Sequence, residues 1–300
     1  MKIGVALPQR GWPEPTDWSF AEIAAYGARA EEVGFDSVWA SDHFFLELGG
    51  ARFRVGPEPM TALGYLAGRT ERIRLGTLVL CGAFRSPGQL AREAKTLAEL
   101  SNGRFVLGIG AGWHQPEFDA FDLPFDHLVS RFEEYVEALV RLTAGGPVDY
   151  EGRYVTLRGG EVLGGAVPEF WIASAAPRML RLTAKHADGW NLRGSNEHFP
   201  ELLEKLRREE ADAGREPGTV LASCNASALL VDPEEGERLL AENPPMLGPI
   251  AVGADELREI AEGHRSAGCQ ELILHFSGSV WTSYGREQLD LAADALGLSS

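Results

Sequence analysis

Apolar residues along the chain fall into two alternating patterns. Short continuous runs recur at Ile3–Leu7, Phe35–Ala40, Ile73–Leu80, Phe105–Ile109, Phe170–Ala173, Gly189–Leu192, Leu221–Val231 and Glu271–Phe276. Runs of this kind fit strands buried on both faces. Between them lie longer segments with apolar residues at helical spacing: Phe20–Val33, Met60–Gly68, Pro87–Leu100, Val129–Leu142, Arg178–His186, Phe199–Ala213, Ala254–Ala267 and Arg286–Leu296. Local stops agree with this reading. Gly34 closes the first helix, and Pro87 opens the third, which ends at Ser101-Asn102-Gly103. Eight strand–helix units in one chain predict an α/β fold, a single (β/α)8 barrel over residues 1–300. The rival, a doubly wound open sheet, wants a GxGxxG turn directly after the first strand. Pro8-Gln9-Arg10-Gly11 stands there instead.

Two stretches break the rhythm. Residues 146–168 are rich in Gly and Pro, with Tyr150, Tyr154, Val155 and Leu157 in strand-like alternation, which predicts a β-hairpin-like excursion outside the barrel. An irregular segment holding Asn243-Pro244-Pro245 separates the seventh strand from its helix.

Charge and cysteine content narrow the function. The 300 residues carry a net charge of −16, which repels a phosphate backbone and an anionic membrane surface, so neither nucleic acid nor membrane is an expected partner. No apolar run approaches the ~18 residues that a membrane span needs. Cys81, Cys224 and Cys269 lie far apart, with no CxxC. That fits a reducing cytosol and disfavours a disulfide scaffold or a cysteine-based zinc site. HExxH, GxSxG and paired-carboxylate patterns are missing from the sequence, so no metal site is expected, and the remaining partner class is a small molecule.

In a barrel of this type the chemistry sits on the loops after the strands. Strand two runs into Ser41-Asp42-His43-Phe44, an acid and an imidazole at the functional rim. Strand four ends in Gly108-Ile109-Gly110-Ala111-Gly112-Trp113-His114, where small residues let a flat ring or a phosphate approach the backbone. By itself this spacing is equally an ordinary tight turn. Trp113 can wall a pocket, with Phe44, Phe45, Phe118 and Phe121 as further apolar candidates. Strand five leads through Ser174-Ala175-Ala176 to Pro177-Arg178, a helix start able to cradle an anion, with a plain capped loop as the bland alternative. His186 sits at a helix end, where a structural role suffices.

Taken together these motifs resemble the luciferase-like monooxygenase family. The resemblance rests on residues 34–44 (Gly-Phe-Asp-Ser-Val-Trp-Ala-Ser-Asp-His-Phe), Ile73–Leu80 and Leu100–Trp113 followed by Pro116-Glu117. It continues through Ala187-Asp188-Gly189-Trp190-Asn191 and the segments 252–257 and 267–272. It implies a TIM barrel with inserted loops, a homodimer, and a bound flavin or deazaflavin. Asp42-His43-Phe44 resembles the branch that uses coenzyme F420, with FMN as the alternative cofactor. In that branch the histidine lies beside the ring and a non-proline cis peptide makes a bulge at strand three, here the Leu78–Val79 bond. The resemblance puts Asp42, His43, Leu78, Val79, Gly110, Ala111 and Gly112 at the cofactor, Ser174, Ala175, Ala176 and Arg178 on its phosphate side, and Phe44, Trp113 and His114 at the substrate. One departure is visible: where the sugar-phosphate dehydrogenases of the branch have a glutamate after the strand-four glycines, this chain has Trp113. The expected catalytic groups are therefore His43 and, in the same loop, Glu117. The expected activity is hydride transfer between deazaflavin and a small organic substrate. The alternatives are FMN-dependent monooxygenation and a non-catalytic flavin-binding barrel.

Overall fold

The computed structural model describes residues 1–9, 19–48, 51–53, 55–193, 198–242, 250–276 and 286–298. Eight strands form its centre: β1 (Lys2–Ala6), β2 (Ser37–Ala40), β3 (Arg74–Thr77), β4 (Phe105–Gly110), β5 (Glu169–Ala173), β6 (Gly189–Leu192), β7 (Leu221–Leu229) and β8 (Glu271–His275). Each pairs in parallel with the next, β4 pairs with β5, and β8 returns to β1 through Lys2–Glu271 and Ile3–Leu272. The sheet is thus closed, as the strand–helix alternation predicts.

The helices ring this barrel: α1 (Phe20–Glu32), α2 (Pro59–Ala67), α3 (Pro87–Leu100), α4 (Gln115–Ala120), α5 (Leu128–Ala144), α6 (Pro177–His186), α7 (Phe199–Asp212), α8 (Pro233–Glu242), α9 (Gly253–Ser266) and α10 (Glu287–Leu296). Local chemistry sets their starts. Ser19 and Glu22 make a reciprocal capping box on α1, and Ser86 with Pro87 opens α3. Outward strand residues such as Val5, Val38, Leu75 and Leu107 are buried against the helices in the main core. Inside the barrel Trp39 and Trp171 meet at 4.9 Å and pack with Val106 and Ile273. Two glycines make room for them: a Cβ on Gly76 would come within 2.3 Å of the Trp39 ring, and one on Gly189 within 2.3 Å of Trp171.

The floor of the barrel, at the strands' N-terminal end, is a buried ionic network. Arg74 bonds Glu271 at 2.6 Å and Glu169 at 2.7 Å, Ser37 donates to Glu271, and the indole N–H groups of Trp39 and Trp171 donate to Ser37 and Glu169.

Residues 146–168 hold a small two-stranded sheet. Val148–Glu151 and Thr156–Gly160 form an antiparallel pair, anchored where Glu134 of α5 accepts the N–H groups of Arg153, Tyr154 and Val155. Other details differ from the sequence reading. The third apolar run is interrupted: β3 stops at Thr77, and Leu80–Cys81 pairs separately with the end of β4. Leu46–Leu48 and Ala51–Phe53 form a small hairpin after β2, α4 lies in the loop after β4, and α8 occupies part of the stretch expected to be irregular between the seventh strand and its helix. Ile250–Val252 pairs with β7, whereas Asn243-Pro244-Pro245 lies outside the described residues. Among the described residues no helix is long and apolar enough to cross a membrane.

Candidate functional site

The strands' C-terminal ends open into a mouth, and the side chains there divide into two halves. On the β2–β4 side, His43 follows β2 and meets Glu117 of α4: Nδ1 lies 2.8 Å from Oε2. Glu117 is only 1% exposed, a position a carboxylate holds only when it is well bonded. Its second oxygen accepts the backbone N–H of Phe44 at 2.5 Å, with that of Phe45 at 3.4 Å. The carboxylate therefore fixes both the loop after β2 and the imidazole. With the Nδ1–H donated to Glu117, proton exchange with a ligand falls to Nε2, and the carboxylate stabilises the imidazolium when a proton is taken up.

A second carboxylate braces the same corner. Asp42 is buried and accepts from the Cys81 N–H at 3.1 Å and from Arg85 at 2.6 Å. Burial opposes the charge of Arg85, but its bonds to Asp42 and the nearby Glu58 outweigh that and raise its pKa. Burial likewise pushes the Cys81 thiol up to about 12, so it is not a nucleophile at neutral pH. Gln9, after β1, clamps Ser41 through both its amide atoms.

The Leu78–Val79 peptide between β3 and Cys81 is cis. Its neighbour on β4 is Gly110, where a Cβ would lie 3.0 Å from Val79 Cγ2, so glycine lets the two strand ends approach and leaves no side chain over that spot. Aromatic rings surround His43. Trp113 stands edge-on to it at 5.7 Å, His114 at 6.3 Å, and Phe44 packs on Phe121 at 4.2 Å and on Phe84 at 4.6 Å. Trp113, Phe44 and Phe121 remain 54%, 47% and 50% exposed, unusual for large apolar side chains gathered in one place. His114 is itself buried, and its Nε2 accepts the Glu47 N–H at 3.0 Å, which ties the 46–53 hairpin to this wall.

The β5–β7 half is polar. Asn191 donates to Ser223 at 2.9 Å and to Asn225 at 3.0 Å inside the barrel. Ser174 follows β5, its N–H bonded to the Asn191 carbonyl and its own carbonyl to the Trp190 indole. Ala175 and Ala176 are exposed, and Ala176 caps α6 without a side-chain bond. Arg178, by contrast, is bonded to Glu133 and Ser130 of α5, so a carboxylate offsets its position in a helix's first turn.

The structure thus gathers His43, Glu117, Phe44, Trp113, His114, Val79 and Gly110 in one half of the mouth. Leu78, Ala111 and Gly112 lie in the same two chain segments, and Gly112 takes a positive φ of 90° with Phe118 packed beneath it. Asp42 and Arg178 turn to protein partners. Sequence reasoning passed over Arg85, Gln9 and the Asn191–Asn225 pair. Gln9 and Arg85 are marked only by lying in loops after strands, and Asn191 and Asn225 only by being polar residues inside β6 and β7.

Comparison with known proteins follows from this geometry. The family profile of luciferase-like monooxygenases matches residues 1–268. The phthiodiolone/phenolphthiodiolone dimycocerosates ketoreductase of Mycobacterium kansasii is 33% identical over 218 residues, which are 64% of this chain and 59% of that protein. An F420-dependent glucose-6-phosphate dehydrogenase of Microbacterium testaceum is 35% identical over 178 residues, 56% of this chain and 51% of that one. The chain therefore aligns with little more than half the length of these curated relatives. A solved F420-dependent secondary alcohol dehydrogenase, in complex with an F420-acetone adduct, superposes with a TM-score of 0.82 at 18% identity, covering 99% of this chain and 98% of that one. With the profile match spanning most of the barrel, this chain belongs to the luciferase-like monooxygenase family.

Proposed function

We propose that the protein is an F420-dependent oxidoreductase acting on a small organic substrate at a carbonyl or hydroxyl carbon. The observation that carries the reading is the His43–Glu117 dyad, set beside the Leu78–Val79 bulge and the glycine end of β4. The curated relatives add weight, being named for ketone reduction and for F420-dependent dehydrogenation.

The residues present fit a deazaflavin. Gly110 and Ala111 offer a wall without bulk, and Val79 backs it. When bound, F420 supplies or accepts the hydride at its ring carbon. The chain's own groups do the rest. His43 Nε2 would take the hydroxyl proton of an alcohol, or give a proton to the oxygen of a carbonyl. Glu117 holds the imidazole's tautomer and stabilises its charged form. Trp113, Phe44 and Phe121 cover the apolar part of the substrate and exclude water from the transfer. The loop Ser174–Ala176 would take the cofactor's phosphate through the backbone N–H groups of Ala175 and Ala176, while the Ser174 N–H, bonded to the Asn191 carbonyl, fixes the start of the loop. Asp42 and Arg178 serve this site by bracing its loops. Assembly as a homodimer rests on the family resemblance, and analytical ultracentrifugation tests it.

The function is tested by spectroscopic titration of the apo-protein with F420 and, separately, with FMN. The expected result is saturable binding of F420 and weak binding of FMN. Tight FMN binding with none for F420 would make the FMN-dependent monooxygenase the correct reading, and binding without turnover of any carbonyl or alcohol would favour a storage barrel.

A further inference from the structure

The loop expected to face the cofactor's phosphate has an arginine of its own, Arg178, but Glu133 and Ser130 occupy it. A different cation stands beside that loop. In the β5–β6 register Ala173 pairs with Asn191, and the Ser174 N–H bonds the Asn191 carbonyl. Extending that register two residues beyond its last pair would set Ala175 opposite Arg193. The alternation of β6 points the same way: Trp190 packs outward with Phe199, Asn191 bonds Ser223 and Asn225 inside the barrel, and the same alternation carried two residues on would put Arg193 on the inner side at the rim.

Arg193 is chemically unlike the other arginines set into this barrel. Arg74 is held by Glu169 and Glu271, Arg85 by Asp42 and Glu58, Arg104 by the carbonyls of Ala67, Thr70 and Ile73, and Arg215 by those of Ala184 and Ala187. Arg193 has no ion pair or hydrogen bond to any described residue, in a chain whose acidic residues outnumber its basic ones by 44 to 28. Water reaches it, yet surrounding protein lowers its pKa through desolvation, the combination expected of a side chain in a recess. Its neighbour on β7 adds to the donor surplus. Asn225 spends its carbonyl oxygen on Asn191, which leaves its amide N–H groups for the mouth.

We propose that Arg193 is the anion-binding residue of the mouth, receiving an oxyanion, phosphate or carboxylate, beside the Ser174–Ala176 loop. The inference rests on the cofactor reading above, since that reading makes the loop a ligand-facing one. Two sources share this chemistry: the phosphate of the cofactor and an acidic group on the substrate. Neither Glu117 nor Asp42 competes for it, because both are bonded on the opposite half. A guanidinium with no partner among the described residues has its fork to offer for two parallel bonds to such a group.

The test needs no turnover. Apo-protein is titrated with F420 and with its phosphate-free deazaflavin riboside, wild type beside Arg193→Gln and Arg193→Lys. Melting curves of apo- and F420-loaded protein are recorded with inorganic phosphate or with chloride at equal ionic strength. If the oxyanion is the cofactor's, Arg193→Gln loses about tenfold or more of the preference for F420 over the riboside. Phosphate then stabilises wild-type apo-protein but not the loaded form. If it is the substrate's, the preference survives, and phosphate stabilises loaded wild type but not loaded Arg193→Gln. Arg193→Lys keeps part of either effect because a charge remains. Arg193→Gln that matches wild type in both cofactor preference and phosphate response overturns the assignment. A protein that binds neither F420 nor FMN instead removes the proposed function, and the phosphate response of the apo-protein still judges Arg193.

Discussion

The two ends of this barrel are built from similar residues and arranged to opposite effect. At the floor Arg74, Glu169, Glu271, Ser37 and two indole N–H groups bond one another, so the end is closed and each charged group has a partner. Among the described residues of the mouth, charges are partnered where they brace loops, as in Asp42–Arg85 and His43–Glu117. Three large aromatic side chains stay half-exposed there, and Arg193 has no partner among the described residues. A saturated network has nothing left to offer a ligand, whereas unmet donors and bare rings do. Stability belongs to one end and recognition to the other.

The sharpest way to break this contrast is at His43. His43→Ala should cut turnover by about 10²–10⁴ if the imidazole moves the proton, with a smaller fall in melting temperature because Glu117 keeps its backbone bonds to Phe44 and Phe45. Steady-state kinetics at saturating cofactor reads this, and unchanged turnover would reduce His43 to packing. At the floor the expected effect has the other sign. Arg74→Met strands Glu271, which is fully buried, and should cost about 3–5 kcal/mol in urea unfolding. Cofactor affinity of the folded fraction should be kept, and an equal loss of affinity would show that the ends are coupled.

Smaller effects sharpen the picture. Glu117→Gln retains a bond to the loop but loses the charge that stabilises imidazolium, so turnover should fall about tenfold or more and its pH profile should shift. Rescue toward wild type at altered pH would separate this positioning role from a purely structural one. Cys81, Cys224 and Cys269 are buried, and burial raises each thiol to about 12. They stay protonated across pH 7–9, so native protein should react with a thiol reagent only at the rate of unfolding. Fast labelling at pH 8 would contradict their burial.

The barrel was legible because its signals are local and repeated. Continuous apolar strands, proline-started helices and glycine stops recur with each unit, and tertiary packing had only to confirm them. The interruption of the third run at Leu78–Val79 was legible only through family resemblance, since no residue type announces a cis bond before valine. The dyad was half legible. His43 and Glu117 were both candidates, but their contact spans 74 residues, and nothing in either segment specifies the other. Arg178 misled for the same reason: its position in the loop was plain, while its partner Glu133 lies 45 residues earlier. Arg193 drew no notice because its distinction is the lack of a partner among the described residues, a property only the folded chain has.

The most direct measurement of the division between floor and mouth is hydrogen–deuterium exchange with and without F420. Protection should appear at residues 41–45, 78–81, 110–118 and 174–178 and around Arg193. It should not change at Ser37, Arg74, Glu169 or Glu271, where the floor network already saturates its bonds. Protection centred on the floor, or spread evenly over the barrel, would contradict the account.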